Sequence, residues 1–229
     1  MDKQASELER ASRRATMARQ VDSSLGPFDP MQLQALASVP RDRFVRPEDI
    51  GRAEMDMPLP LDETGTSTIS APHAYLLSYR LLRLQRGDEL LELGSGSGYG
   101  AALAAEIVGE EGRASVTTVE IDRTLAARAT VLLRDRPNVR VIHGDAMHAA
   151  QWIPGHEKIV CAFAVAELPE PWLAAMDPGA TLVAPVGRYL DQRLLKVVRT
   201  PGGERVVTDH GAVRYVANRS THNSADHLS

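Results

Sequence analysis

The chain has 229 residues, of which 43% are hydrophobic and 24% are charged, and its formal net charge is -4. These values indicate one globular domain; the lack of a dense Lys/Arg stripe argues against a nucleic-acid partner, and the single Cys161 excludes an intrachain disulfide and a multi-cysteine zinc site. No apolar run approaches the roughly 18 residues of a membrane span, and the charged N-terminus lacks the apolar stretch of a signal peptide, so we predict a cytoplasmic protein that binds no membrane. We also predict a monomer that binds no metal.

The N-terminal quarter of the chain is predicted to be a helical extension followed by a long irregular segment. Residues 3–22 have small or apolar residues at helical spacing, and a second helix is predicted at 31–39, which Pro40 ends. Residues 41–65 are rich in Pro, Asp, Glu and Gly. Because long irregular segments in compact domains are usually functional or disordered, we assign residues 1–65 to an N-terminal helical and lid extension.

A regular alternation of helices and strands follows. Helices are predicted at 75–84, 101–109, 123–135 and 169–176, and strands at 89–94, 115–122, 139–145, 158–165, 180–187, 192–200 and 204–216. This alternation requires parallel strands with right-handed crossovers, so the predicted fold class is α/β, with a doubly wound, mostly parallel seven-stranded sheet. We assign this domain to residues 66–216 and expect residues 217–229 to form a flexible tail.

A glycine-rich loop, "LGSGSGYG", joins the first of these strands to the next helix. Gly94, Gly96 and Gly98 allow backbone amides to approach a ligand closely, at the edge of an open sheet where ligands bind. The helix after the loop offers free N–H groups to an anion. The loop alone leaves the ligand open, because Gly96, Gly98 and Ala101 also satisfy the G-x-G-x-x-A pattern of dinucleotide-binding proteins.

Three acidic residues near this loop narrow the choice of ligand. Glu120 ends the second strand, where a carboxylate can accept both hydroxyls of a ribose, and Asp145 ends the third, beside the expected adenine. Glu92 is close enough to the loop to face a ligand ammonium. Any one of them could equally cap a strand or pair with an arginine, but together they favour S-adenosylmethionine. The predicted donor site comprises Glu92, Gly94, Ser95, Gly96, Ser97, Gly98, Glu120, Ile121, Gly144, Asp145 and Ala146.

Five segments together resemble the protein-L-isoaspartate O-methyltransferases, a family of class I, Rossmann-like methyltransferases. They are "VPRDRFV" (39–45), "TISAP" (68–72), "LLELGSGSGYGAALAA" (90–105), "HGDA" (143–146) and "MDPGATLVAPVG" (176–187). The resemblance implies methyl transfer from S-adenosylmethionine to an isoaspartyl or aspartyl carboxylate of a protein or peptide. S-adenosylhomocysteine is the implied product, and the ester then closes to a succinimide.

The same resemblance assigns the hydroxyl-rich run "TSTISAPHA" to a lid over the donor. It implies that Ser70 lies nearest the acceptor carboxylate, and that Thr68 and Ile69 shape the lid. A different interpretation is that Ser67, Thr68 and Ser70 only cap the helix that begins near Pro72, since Ser and Thr are favoured caps. His73 has no partner motif, so we expect it to pack on the helix surface.

One segment departs from the family's usual pattern. Where the family reads like "VTAAAPEIP", this chain has "CAFAVAELP" at 161–169, and bulkier residues stand at Phe163 and Val165. The resemblance assigns this stretch to the acceptor, so the predicted substrate-binding residues are Ala162, Phe163, Ala164, Val165 and Ala166. The structural alternative is that Phe163 and Val165 point into the core.

Three functions remain to be separated. The first is repair of isoaspartyl residues in damaged proteins. The second, motivated by the altered segment, is methylation of one Asp in a ribosomal natural-product peptide to form an aspartimide or isoaspartate. The third is a dinucleotide-dependent oxidoreductase or a non-catalytic nucleotide-binding module, which binding of S-adenosylhomocysteine but not NAD would exclude.

Overall fold

The computed structural model describes residues 2–110, 115–188 and 190–219. The helices are α1 (Asp2–Leu25), α2 (Pro30–Ser38), α3 (Pro72–Leu82), α4 (Tyr99–Val108), α5 (Arg123–Leu132) and α6 (Glu170–Ala175). The strands are β1 (Leu59–Pro60), β2 (Thr68–Ile69), β3 (Glu89–Leu93), β4 (Ser115–Glu120), β5 (Val139–His143), β6 (Lys158–Cys161), β7 (Thr181–Arg188), β8 (Asp191–Arg199) and β9 (Arg205–Val213). Short 3-10 helices cover Arg41–Arg43, Pro47–Arg52 and Ala146–Gln151.

Seven strands form one sheet in the order β5-β4-β3-β6-β7-β8-β9. Neighbours from β5 to β7 are parallel, and β8 and β9 form an antiparallel edge. The predicted doubly wound, mostly parallel seven-stranded sheet is therefore confirmed. The chain runs outward from β3 to β5 and then crosses to β6 on the other side of β3. Ligands of open α/β sheets bind at such a switch point, beyond the carboxyl ends of the strands.

Two hydrophobic cores lie on the two faces of the sheet. On β3, Leu90 belongs to the core that includes residues of α1 to α5, whereas Leu91 belongs to the core that includes α6. Because side chains alternate along a strand, Glu92 shares the face of Leu90 and points toward the helices that cover it. This alternation fixes the face of the sheet on which the Glu92 side chain lies.

Both predicted N-terminal helices are present. The Asp29 carboxylate accepts a hydrogen bond from Met31 N at 2.8 Å, Pro30 occupies the first turn, and α2 ends before Pro40. The irregular segment that follows contains two 3-10 helices and β1, which pairs antiparallel with β2. This pairing attaches the segment to the predicted lid.

The structure departs from the sequence expectation at the end of one strand and at the start of the predicted tail. The strand predicted at 158–165 ends at Cys161, and Ala164 makes only a single bridge, to Ala217. Asn218 N also donates to Ala164 O at 3.0 Å. Residues 217–219 are therefore packed against the fold and are not part of a flexible tail, while residues 220–229 of that tail lie outside the described residues.

Among the described residues, none of the helices combines the length and apolar character that crossing a bilayer requires. The cytoplasmic location, the monomeric state and the domain boundary after residue 65 stay predictions.

Candidate active site

A cleft of about 560 Å³ lies at the carboxyl ends of β3, β4 and β6. The lid segment, the glycine loop, the exit of β6 and the C-terminal segment supply its walls. The lining residues are Thr66, Ser67, Thr68, Ile69, Ser70, Tyr75, Gly94, Ser95, Gly96, Ser97, Glu120, Ala162, Phe163, Val216, Ala217 and Arg219. The structure thus brings the predicted lid and much of the predicted donor site around one space.

Glu120 is oriented in this cleft by backbone amides. Gly96 N donates to Glu120 Oε2 at 2.7 Å, and Asp122 N donates to Oε1 at 2.9 Å. Burial raises the pKa of Glu120 above its ordinary value, because desolvation disfavours the charged form. Each carboxylate oxygen has a second lone pair, so the fixed carboxylate can still accept a pair of ligand hydroxyls.

Two glycines of the loop leave no room for a side chain. Gly94 has a φ of 96°, and a Cβ there would lie 2.9 Å from Phe163 Cδ1. A Cβ on Gly100 would overlap Glu92 Oε1. The hydroxyls of Ser95 and Ser97 are buried and have no protein partner among the described residues, so they can bind a polar group of a ligand.

Glu92 lies behind the cleft and does not line it. Its Oε2 accepts a hydrogen bond from Thr118 Oγ1 at 2.7 Å, and burial raises the pKa of Glu92 to about 8. It lines a second cavity of about 270 Å³ that shares Ser70, Tyr75 and Ala162 with the cleft. A ligand that reaches between these shared residues would meet the Glu92 carboxylate.

The lid is held by its backbone. The Ser70 N–H donates to Tyr75 Oη at 3.1 Å, and Arg41 Nη2 donates to Ser70 O at 3.0 Å. Thr68 and Ser70 line the cleft, and Ile69 also reaches it although its side chain is buried in the core. All three predicted lid residues are therefore at the site, and their catalytic role stays a prediction.

The lid hydroxyls do not cap the following helix. The N-cap of α3 is Ala71, whose side chain cannot cap the helix, and the His73 N–H of the first turn donates to Asp56 Oδ1 at 3.0 Å instead, so the capping interpretation is wrong. His73 packs as expected, on the surface of α3: its Nδ1 lies 2.9 Å from Asp56. The Ser70 hydroxyl bonds to Tyr75, and Thr68, Ser70 and Tyr75 all line the cleft.

Only part of the predicted acceptor segment reaches the cleft. Ala162 and Phe163 line it, and the Phe163 ring packs edge-on against Trp172 with centroids 6.4 Å apart. Ala164 and Val165 are each 3% exposed and belong to the fold's interior, and Ala166 points outward as an exposed residue. The core interpretation therefore holds for Val165 and holds in part for Phe163, which packs against the same core and also lines the cleft.

The predicted adenine side lies at the same edge of the sheet but outside the cleft lining. These residues are Ile121, Gly144, Asp145 and Ala146, at the ends of β4 and β5. Gly144 N donates to Glu120 O at 2.9 Å, and Asp145 Oδ1 accepts from Met147 N at 2.8 Å, which caps the 3-10 helix. Gly98 likewise lies outside the lining and is the N-cap of α4. Their role toward a donor stays a prediction.

Some lining residues were missed by the sequence analysis. Tyr75 falls in a predicted helix and has no predicted role, and Val216, Ala217 and Arg219 lie at or beyond the predicted end of the domain. No motif marks Arg219, which stands alone in a polar segment. Within residues 2–110, 115–188 and 190–219, no three His, Cys, Asp or Glu side chains come together as metal ligands would.

Comparison with known proteins gives the family of the chain. The profile of the family described as protein-L-isoaspartate(D-aspartate) O-methyltransferase (PCMT) matches residues 28–223. A protein-L-isoaspartate O-methyltransferase of Methanothermobacter thermautotrophicus is 37% identical over 186 residues, which cover 80% of this chain and 84% of the relative. Protein-L-isoaspartate O-methyltransferase 2 of Archaeoglobus fulgidus is 36% identical over 188 residues, which cover 81% and 84%.

A solved structure shows the same fold. It is a protein-L-isoaspartate O-methyltransferase from Plasmodium falciparum in complex with S-adenosyl-L-homocysteine, with a TM-score of 0.77 and 19% sequence identity. The superposition covers 90% of this chain and 98% of that one. The profile match and the two relatives together show that this chain belongs to the protein-L-isoaspartate O-methyltransferase family.

Proposed function

We propose that this enzyme transfers a methyl group from S-adenosylmethionine to the side-chain carboxylate of isoaspartyl residues in proteins or peptides. The observation that carries the proposal is that residues 68–70 line the same cleft as the glycine loop and Glu120. The lid comes close to the loop, since Thr68 O lies 3.8 Å from where a Cβ on Gly96 would be. Family membership supports the reaction class.

The cleft residues fit this donor. When bound, S-adenosylmethionine supplies an electrophilic methyl group on a sulfonium, and S-adenosylhomocysteine is the product. Glu120 would accept the ribose hydroxyls, and Glu92 would attract the ammonium of the methionine part. The buried hydroxyls of Ser95 and Ser97 would find a polar partner that the protein itself does not provide.

The acceptor needs orientation more than activation. A side-chain carboxylate has an ordinary pKa of about 4, so it is already ionised at neutral pH and needs no general base. The protein's task is to align the carboxylate oxygen and to exclude water. The Ser70 hydroxyl, beside Ala162 and Phe163, can orient a carboxylate without a tight ion pair. The backbone amide nitrogen next to the methyl ester then attacks the ester carbonyl, which releases methanol and closes a succinimide.

Mass spectrometry of two matched peptides tests this function. A generic peptide with one isoaspartate, incubated with enzyme and S-adenosylmethionine, should gain the mass of one CH2 unit, because a methyl group replaces the carboxyl proton, and its normal aspartyl twin should gain none. If a preparation that binds S-adenosylhomocysteine methylates neither peptide, the repair function is wrong.

A second candidate function is methylation of an ordinary Asp in one dedicated peptide. Phe163 favours it, because this large side chain lines the cleft and packs against both Gly94 and Trp172. If Phe163 restricts the acceptor, Phe163→Ala should methylate generic isoaspartyl peptides faster than the wild type does. Unchanged or slower methylation by the variant would argue against the restriction.

Ser70→Ala is expected to lower kcat about 10- to 100-fold and to change donor affinity less than about 2-fold. The reason is that the Ser70 hydroxyl is proposed to contact the acceptor and not the donor. Steady-state kinetics and calorimetry with S-adenosylhomocysteine measure the two effects. Glu120→Gln is the matched comparison and should weaken donor binding at least 10-fold. Equal losses of donor binding and turnover in Ser70→Ala would contradict the assignment.

A further inference from the structure

Arg219 forms a clasp across the cleft, and we propose that this residue holds the lid closed and sets the rate at which donor and product exchange. The inference rests on the proposed donor site, but not on the identity of the acceptor.

The Arg219 guanidinium links the donor side of the sheet to the lid. Its Nη1 lies 2.9 Å from Asp122 Oδ2, and its Nη2 lies 2.8 Å from Asp62 Oδ2. Asp122 follows Glu120 and caps α5, whereas Asp62 precedes the lid. Nη2 also donates to Thr66 Oγ1 at 3.0 Å and to Ser67 Oγ. A planar guanidinium can satisfy such separated acceptors at once, which a lysine cannot.

Asp62 transmits this contact to the lid backbone. Its carboxylate accepts hydrogen bonds from Ser67 N at 2.8 Å and from Thr66 N at 3.1 Å. Leu61 N donates to Ser67 O at 2.8 Å, which closes residues 61–67 into a turn that runs directly into β2. Since Asp62 holds the backbone of this turn through two hydrogen bonds, loss of its contact with Arg219 would loosen the segment that lines the cleft.

Arg219 is located on the solvent side of the proposed ribose site. The Arg219 side chain is 30% exposed, whereas Glu120 is only 7% exposed, and both residues line the same cleft. Of these two residues, Arg219 is thus the more accessible to a ligand that enters the cleft from solvent. The backbone next to Arg219 is held in place, because Ala217 bridges to Ala164 and Asn218 N donates to Ala164 O.

Arg219→Gln removes the charge and keeps a polar side chain. We expect S-adenosylhomocysteine to dissociate about 10-fold faster from this variant in stopped-flow measurements, because interface contacts act mainly on dissociation rates. Amide hydrogen exchange over residues 61–70 should also be faster in the protein without ligand. Added salt should accelerate dissociation from the wild type and leave the variant unaffected, because salt screens exposed ion pairs. Arg219→Lys should be intermediate.

Arg214→Gln is the matched control, because Arg214 is an exposed arginine of the same C-terminal segment that does not line the cleft. It should leave dissociation and exchange unchanged. Wild-type values of both quantities in Arg219→Gln would overturn the clasp. A much lower Tm of Arg219→Gln than of the control would overturn it too, since Arg219 would then be a general structural residue. These measurements use no acceptor peptide. They can therefore contradict the role of Arg219 even if the enzyme methylates isoaspartyl peptides, and they can support that role even if it does not.

Discussion

Arg41→Ala is expected to lower the free energy of unfolding by roughly 3 to 5 kcal/mol. The Arg41 side chain is fully buried, and its guanidinium donates to four backbone carbonyls. These are Ala53 O at 2.9 Å, Met55 O at 3.2 Å, Met57 O at 2.8 Å and Ser70 O at 3.0 Å. Alanine would leave these carbonyls without their donor and would open a cavity beside them.

The same substitution is expected to reduce methyl transfer in the fraction that stays folded. Arg41 connects residues 53–57 to the lid through Ser70 O, while Tyr75 holds the Ser70 N–H. Loss of one of these two anchors would allow the Ser70 hydroxyl to move, and small misplacements of an aligning group slow a reaction strongly. Urea unfolding and steady-state kinetics at a temperature where the variant is folded measure the two effects.

Arg43→Ala is the control, since Arg43 belongs to the same 3-10 helix. Its side chain is 50% exposed and lies 4.0 Å from Asp135, which is also exposed. Exposed pairs of this kind contribute little, so the expected change is within about 0.5 kcal/mol. Similar losses of stability in the two variants would show that the four carbonyl contacts of Arg41 have no special importance.

Glu92→Gln is expected to change how stability depends on pH. Burial raises the pKa of Glu92 to about 8 in the folded state, whereas a carboxyl in the unfolded chain has the ordinary value of 4.5. Below pH 4.5 both states are protonated, and Glu92 adds no pH dependence. As pH rises from 4.5 to about 8, the unfolded state loses this proton first, so the free energy of unfolding falls.

Glutamine does not ionise, so the variant is expected to be more stable than the wild type near pH 8 when no donor is bound. The expected gain in the free energy of unfolding is on the order of 3 kcal/mol. This is less than the pKa shift alone implies, because the surroundings of a buried group relax when it ionises. Donor affinity should fall about 10-fold or more, because the ammonium would lose a charged partner.

Thermal unfolding between pH 5 and pH 9 tests the Glu92 prediction. The difference between the wild-type and variant curves isolates Glu92, because other groups contribute to both curves; Glu54, whose pKa burial raises to about 7, is one of them. Parallel curves would contradict the prediction. An unchanged affinity for S-adenosylhomocysteine would contradict the contact of Glu92 with the ammonium.

The predictions from sequence succeeded where one local pattern forces one local structure. Apolar residues at strand and helix spacing gave the order of the elements, because each must bury its apolar face. Gly94 and Glu120 stand at strand ends, and parallel strands bring their carboxyl ends to one edge of the sheet. The placement of the lid depended on the resemblance of "TISAP" to the family, not on periodicity.

The remaining parts of the site depend on contacts between residues far apart in the chain. Arg219 lies 157 residues from Asp62, and Arg41 lies 29 residues from Ser70. Neither contact leaves a periodic signal, since the partners are a lone side chain and backbone carbonyls. The end of β6 at Cys161 also involves a contact between distant residues, because Ala164 pairs with Ala217 near the end of the chain.

By itself, the sequence determined the fold class, the family resemblance and the edge of the sheet at which the candidate site lies, because hydrophobic periodicity and the glycine loop act over a few neighbouring residues. Only the tertiary structure decided that Phe163 faces the cleft while Val165 is buried, and that Glu92 lies behind the glycine loop. It also decided that Arg219 bonds to both Asp62 and Asp122. These contacts join residues that are far apart in the chain. They form because each buried polar group needs a hydrogen-bond partner, and the packing of the core decides which distant group is close enough to serve as one.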